Sequence, residues 1–105
     1  MAKAIGIRPQ VYHDIAESAE FIGRNRLEAA SRFINACDAT FVLLSESPQL
    51  GEVVPSASSK LAGMRVFRIP GFPFIALYIE RDSSIEILRV VHGARDLERL
   101  IPEIS

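Results

Sequence analysis

The chain lacks the features that would place it outside a reducing compartment or inside a membrane. It carries one cysteine, Cys37, among 105 residues, so no internal disulfide can form. Cys37 falls within an apolar stripe of helical period, which predicts a packed, reduced thiol in a cytoplasmic protein rather than a nucleophile. No run approaches the roughly 18 apolar residues that a membrane helix needs. Nothing behind Met1-Ala2-Lys3-Ala4-Ile5 resembles a leader, so secretion and membrane insertion are both disfavoured. Charge of one sign is missing too: 12 basic residues against 13 acidic leave a net charge of -1. That balance argues against broad electrostatic capture of nucleic acid, though a local basic patch is compatible with it. The only lysines are Lys3 and Lys60. Signatures of common enzyme chemistry are absent as well. There is no phosphate-cradling glycine loop, no nucleophile elbow and no His, Cys or carboxylate spacing that suits a metal, so neither metal nor cofactor is expected.

With 49% hydrophobic residues, the chain can pack one two-layer core and is read as a single domain over residues 1–105. A short β-compatible stretch, Ala4 to Ile7, ends at Arg8-Pro9, where proline suits the first position of a helix. Tyr12, Ile15, Ala19 and Ile22 recur at helical spacing as an apolar stripe, with His13, Asp14, Glu17 and Glu20 turned outward, and Gly23 marks the end. Asn25 and Glu28 resemble a capping box for a second, longer helix whose stripe is Ala30, Phe33, Ile34, Cys37, Phe41 and Leu44. That helix stops near Ser47-Pro48. Residues 47–60 are rich in Ser, Pro and Gly and read as a surface loop. Three β-rich segments follow: Leu61 to Ile69, Phe74 to Glu80 and Ile85 to His92, joined by connectors short enough for antiparallel hairpins. The order β-α-α-β-β-β predicts an α+β fold, a small mostly antiparallel sheet with an N-terminal helical hairpin packed on one face.

Candidate functional residues fall on the face that the helices would leave open. Alternation along the middle segment turns Ile75, Leu77 and Ile79 inward and Phe74, Ala76, Tyr78 and Glu80 outward or toward a partner. Arg65 and Arg68 are either solvated partners of Glu80 or Glu86, or functional cations. The last strand carries Arg89 and His92, with Arg95 just beyond, and alternation sets Arg89 among aliphatics on one face and Glu86 and His92 with Leu88 and Val90 on the other. Gly93 breaks that strand, and Asp96 is placed to cap a short helix through Leu97, Leu100 and Ile101. A metal-independent ribonuclease needs a base, an acid and cations for the phosphorane charge. His92 with Arg65, Arg89 and Arg95 has the chemistry for those roles, and only a shared location would make it a site.

Several motifs together resemble the ParE/RelE superfamily, the toxin halves of bacterial toxin-antitoxin pairs, and its ParE-like branch in particular. They are Pro9 opening a helix with Asp14 and Ile15, Glu28-Ala29-Ala30-Ser31-Arg32-Phe33, the exit Ser47-Pro48-Gln49-Leu50-Gly51, Met64-Arg65, and Phe74-Ile75-Ala76-Leu77-Tyr78. The most specific is the ending Arg89-Val90-Val91-His92-Gly93-Ala94-Arg95-Asp96. The resemblance spans nearly the whole chain and implies a RelE/ParE-like fold and a toxin held inactive by a cognate antitoxin. Direct contact with DNA would then fall to the antitoxin rather than to this chain. ParE-like relatives poison DNA gyrase, whereas RelE-like relatives cleave mRNA on the ribosome. The scarcity of lysine, and Leu100-Ile101 where a terminal tyrosine would be sought, favour gyrase. The alternatives are a ribosome-dependent endoribonuclease using His92 and Arg95, or an inactive member that retains only antitoxin binding. Candidate target- or antitoxin-binding residues are Arg65, Arg68, Phe74, Tyr78, Arg89, His92 and Arg95.

Overall fold

The computed structural model describes residues 2–55, 62–93, 95, 96 and 99. Strand β1 spans Ala4–Ile7. Helix α1 follows at Pro9–Gly23, with proline in its first turn, where the missing N–H has no intrahelical acceptor to satisfy. Helix α2 covers Leu27–Glu46 and ends where Pro48 forbids continuation. Next come β2 at Glu52–Val53, β3 at Arg65–Arg68, β4 at Phe74–Glu80 and β5 at Ser84–His92. The strands form one sheet in the order β1-β5-β4-β3-β2. β1 runs parallel to β5, and the other neighbours are antiparallel. No described helix is long and apolar enough to cross a membrane.

The architecture is the expected α+β arrangement with one strand more than anticipated. β2 lies inside the stretch read as loop, drawn into the sheet by its pairing with Val66 and Arg65. The third segment is shorter than the apolar run suggests: Ala62 and Gly63 form a turn, Gly63 at φ +85°, and the strand starts at Arg65. Leu61 lies outside the described residues, as do Leu97, Leu100 and Ile101. Asp96 caps nothing, because the helical turn has already begun at Gly93. The Asn25–Glu28 capping box does not form either. Arg26 occupies the N-cap of α2, with no side-chain cap, and its carbonyl accepts from the Ala29 amide.

Burial corrects the helical stripes. In α1, Tyr12 is 61% exposed while Asp14 is buried. The buried line of α1 runs through Val11, Asp14 and Ala19, with Ile15 and Ile22 partly buried beside it. Phe33, Cys37, Phe41 and Leu44 of α2 are buried as their spacing requires, whereas Ile34 is exposed.

The faces of β4 are the reverse of those expected. Phe74, Ala76 and Tyr78 belong to the cluster shared with the helices, together with Val11, Phe33, Cys37, Ile85, Ile87 and Val90. Leu77 and Ile79 lie in a second cluster with Met64, Leu88 and Val91. Alternation states which residues share a face, but both faces of β4 are apolar, and only packing decides which one meets the helices. Phe74 settles it by lying against Phe33, ring centroids 5.1 Å apart. A bulge adds a second twist. Leu77 pairs with Arg89 but Tyr78 with Ile87, so Leu88 is the extra residue. Beyond it the helix-facing positions of β5 change from odd to even numbers.

Tyr78 anchors the exit from α2. Its hydroxyl donates to the Pro48 carbonyl (2.8 Å) and accepts from the Gly51 amide (2.9 Å). A Cβ on Gly51 would come within 2.6 Å of that hydroxyl and 2.7 Å of the Val66 carbonyl oxygen. Gly51→Ala is therefore expected to cost about 1–3 kcal/mol through overpacking, read as a lower urea midpoint with an unchanged slope. A midpoint equal to that of the wild type would show that the turn yields freely.

Candidate functional site

Where β1 ends and α1 begins, β5 runs on without its parallel neighbour. The last bond between them is from the Arg8 amide to the Ile87 carbonyl (3.1 Å). Three positions further, past the bulge, the Val90 amide points at open space that the Asp14 carboxylate fills, at 3.1 Å. Arg89 closes on the same carboxylate with a two-pronged contact, Nε to Oδ2 at 2.8 Å and Nη2 to Oδ1 at 3.0 Å. Gln10, one turn earlier, donates to Oδ1 as well (3.1 Å). The Asp14 side chain is only 6% exposed, and this set of donors compensates the loss of its water. Arg89 is thus a structural cation. Asp14 faces inward, not outward, because it replaces the missing strand.

Asp96 does related work one step along. It accepts from Arg95 Nε (3.2 Å) and Arg99 Nη2 (3.1 Å). Burial raises the Asp96 carboxyl, but the bond and charge of Arg95, a bond from the His92 backbone and the charge of Arg99 outweigh it and leave it below the usual range. His92 lies edge-on to Phe74, centroids 5.6 Å apart, and its Nδ1 accepts from the Arg95 amide at 3.3 Å. The neutral ring therefore carries its proton on Nε2 and presents a donor, not a base, from that nitrogen. These side chains line an open cleft of about 800 Å³ between α1 and the end of β5, to which Ser18 and Phe21 also contribute. Among the described residues, Arg95 and Arg99 are its accessible cations, their side chains 67% and 68% exposed.

Of the candidate residues, the fold gathers Phe74, Arg89, His92 and Arg95 at this cleft. It leaves Arg65 and Arg68 two strands away on β3. Neither pairs with Glu80 or Glu86. Arg65 donates to the Gly51 carbonyl (2.7 Å), and Arg68 Nε to the Phe72 carbonyl (3.0 Å). Glu80 pairs instead with Lys3 (2.9 Å), and Glu86 with Arg8 (3.0 Å) and Arg81 (2.8 Å). Phe74 and Tyr78 are buried, so neither offers a face to a partner strand. Burial raises the Tyr78 hydroxyl, partly opposed by its bond from Gly51 and by the Arg65 charge. Cys37 is pushed up to about 12 by burial and by the Asp38 charge, which removes it as a nucleophile. Among the described residues, no group of three or more His, Cys, Asp and Glu side chains is placed to hold a metal ion.

Asp14 and Asp96 are the residues whose work the spacing did not announce. One signal for Asp14 was available: it stands three residues after Val11 and eight before Ile22, on the buried side of its own helix. For Asp96 the signal was local as well: Arg95 is its neighbour and Arg99 stands three residues on, the spacing of a helical ion pair.

Solved structures of toxin-antitoxin systems share this fold. A chain from the chromosomal ParDE system of P. aeruginosa superposes with a TM-score of 0.70 at 17% identity, covering 87% of this chain and 96% of that one. A chain from the RelBE2 toxin-antitoxin complex of Mycobacterium tuberculosis does so with a TM-score of 0.57 at 22% identity, covering 88% and 99%. These likenesses establish a RelE/ParE-like fold. No curated protein matches the chain by sequence. Residues 5–97 match the family model for the ParE toxin of the type II toxin-antitoxin system parDE, and the chain belongs to that family.

Removing the Asp14 carboxylate takes from Arg89 its two-pronged contact and from the Val90 amide its acceptor. Asp14→Ala is expected to cost about 3 kcal/mol in urea unfolding, against under about 1 kcal/mol for Lys3→Ala at its more exposed pair. Equal effects would deny Asp14 its structural role. Acid tests the carboxylates. Hydrogen bonds from Arg81 and Arg8 lower Glu86, and Asp96 is lowered as well. The unfolded chain therefore binds protons first as the pH falls. The stability these groups add is complete above the ordinary carboxylate range near about 4 and is lost as pH drops through their lower folded values. The urea midpoint should fall between pH 7 and pH 3, and fall less in Glu86→Gln.

Proposed function

We propose that this ParE-family toxin inhibits growth by binding DNA gyrase, and that a cognate antitoxin neutralises it. The observation that carries this reading is the structural commitment of its candidate catalytic groups. Arg89 is fixed on Asp14, Arg65 on the Gly51 carbonyl, and His92 Nδ1 on the Arg95 amide. A ribonuclease of this kind needs a free base beside cations able to follow the developing phosphorane charge. The cleft instead offers an apolar wall, from Phe21 and Ile22, and two accessible arginines, a surface suited to holding a protein partner. The balanced charge agrees, since binding to ribosomal RNA favours a basic chain. Both structural neighbours come from toxin-antitoxin systems, which supports a cognate antitoxin as partner. Operator DNA is then contacted through that antitoxin.

Purified protein added to a gyrase supercoiling reaction should inhibit it or trap cleaved DNA at micromolar concentrations. His92→Ala and Arg95→Ala should alter potency without creating or removing any nuclease activity. Absence of any effect on gyrase, together with codon-linked mRNA cuts that vanish in His92→Ala, would transfer the assignment to the ribosome. Growth arrest on expression, relieved by the neighbouring gene, tests the antitoxin independently of the target.

A further inference from the structure

The sheet has two edges, and they are treated differently. At the β2 edge the strand is two residues long, opens on the charged Glu52 and is followed at once by Val54 and Pro55. Those are the usual means of keeping an edge from pairing. The β1 edge is twice as long and its strand carries no charge, and its following proline, Pro9, opens α1. Ala4, Ile5, Gly6 and Ile7 carry neither charge nor proline, and the first three are exposed. The cations at its ends are drawn away, Lys3 to Glu80 and Arg8 to Glu86.

The backbone at this edge is open as well. The Ala4 amide donates to Ser83 and the Arg8 amide to Ile87, so the even-numbered residues bond to β5. Ile5 and Ile7 therefore aim their N–H and C=O groups outward, where no described backbone group meets them. We propose that this edge pairs with the β1 edge of a second copy of this chain, antiparallel about a two-fold axis through Gly6. Ile5 of one copy then exchanges two hydrogen bonds with Ile7 of the other, and the reverse, giving four in all. Gly6 stands directly opposite its twin at the closer, non-hydrogen-bonded position, with Cα atoms about 4.5 Å apart. The edge suits itself because its central residues are apolar and uncharged, and a two-fold contact asks only for self-complementarity. The axis leaves both helical layers on one side of a ten-stranded sheet. Exposed Ile5, and Val42 from the end of α2 that bonds to Lys3 through Ser45, add apolar contact there.

Gly6 makes the pairing testable without disturbing the monomer. A Cβ there would lie 3.6 Å from the Ile85 carbonyl oxygen, an ordinary contact, so side chains are accommodated within one copy. In the dimer, Gly6→Glu sets two like charges face to face, whereas Gly6→Val sets a favourable β-branched pair. Sedimentation of the full chain, free of any partner, should show a concentration-dependent dimer between roughly 10 μM and 1 mM, as a short edge implies. Gly6→Glu should weaken it by at least about tenfold. Gly6→Val should match or strengthen it. Amide exchange gives a readout without mutation: Ile5 and Ile7 should be protected in the dimer and exchange rapidly on dilution. A monomer at all concentrations, a Gly6→Glu chain that dimerises like the wild type, or unprotected Ile5 and Ile7 amides in a dimer would each overturn the proposal. If Gly6→Glu is poorly folded by circular dichroism, Gly6→Lys makes the same test with the opposite charge.

Discussion

The contact on which the molecule most depends is between the Asp14 carboxylate, the Arg89 guanidinium and the Val90 amide. A parallel pair of strands has to part where one of them turns into a helix, and β1 turns at Pro9. The strand that continues is left with amides that no neighbour accepts, and a buried unpaired amide is costly. Asp14, on the first turns of α1, supplies an acceptor where the next residue of β1 would have been. Its own charge is then balanced by the two-pronged contact of Arg89 on the strand it serves. One carboxylate thus fixes the angle at which α1 leaves the sheet and the position of β5 beneath it.

The bulge at Leu88 follows the same logic. Without the extra residue, Ile85, Ile87, Arg89 and Val91 would lie on one face along the whole of β5. With it, Ile85, Ile87 and Val90 enter the helix-side core, and Leu88 and Val91 enter the opposite cluster. The shift falls beside Arg89 and the Val90 amide, where Asp14 binds. A local irregularity of backbone and a buried ion pair are thereby parts of one junction, as expected where bulges re-aim side chains.

The proposed site sits downstream of this junction. The cleft exists because α1 and the end of β5 diverge past Asp14, and its cations are those left exposed once Arg89 is committed. Membership in the ParE family and the RelE/ParE-like fold are established independently of that cleft.

By itself the sequence determined the α+β class, the helix ends at Pro9, Gly23 and Pro48, the strands Ala4–Ile7 and Phe74–Glu80, the buried line of α2 apart from Ile34, and the family. Those are properties of spacing, chain-breaking residues and local motif, and they need no knowledge of distant neighbours. Tertiary structure decided which face of β4 meets the helices, because both are apolar and only the fit of Phe74 against Phe33 distinguishes them. It drew Glu52–Val53 into the sheet, since a two-residue strand has no period of its own to read. It also decided the roles of the charges. Asp14 and Arg89 lie 75 residues apart, and whether a carboxylate on a helix faces water or a strand amide depends on where that strand lies in the fold.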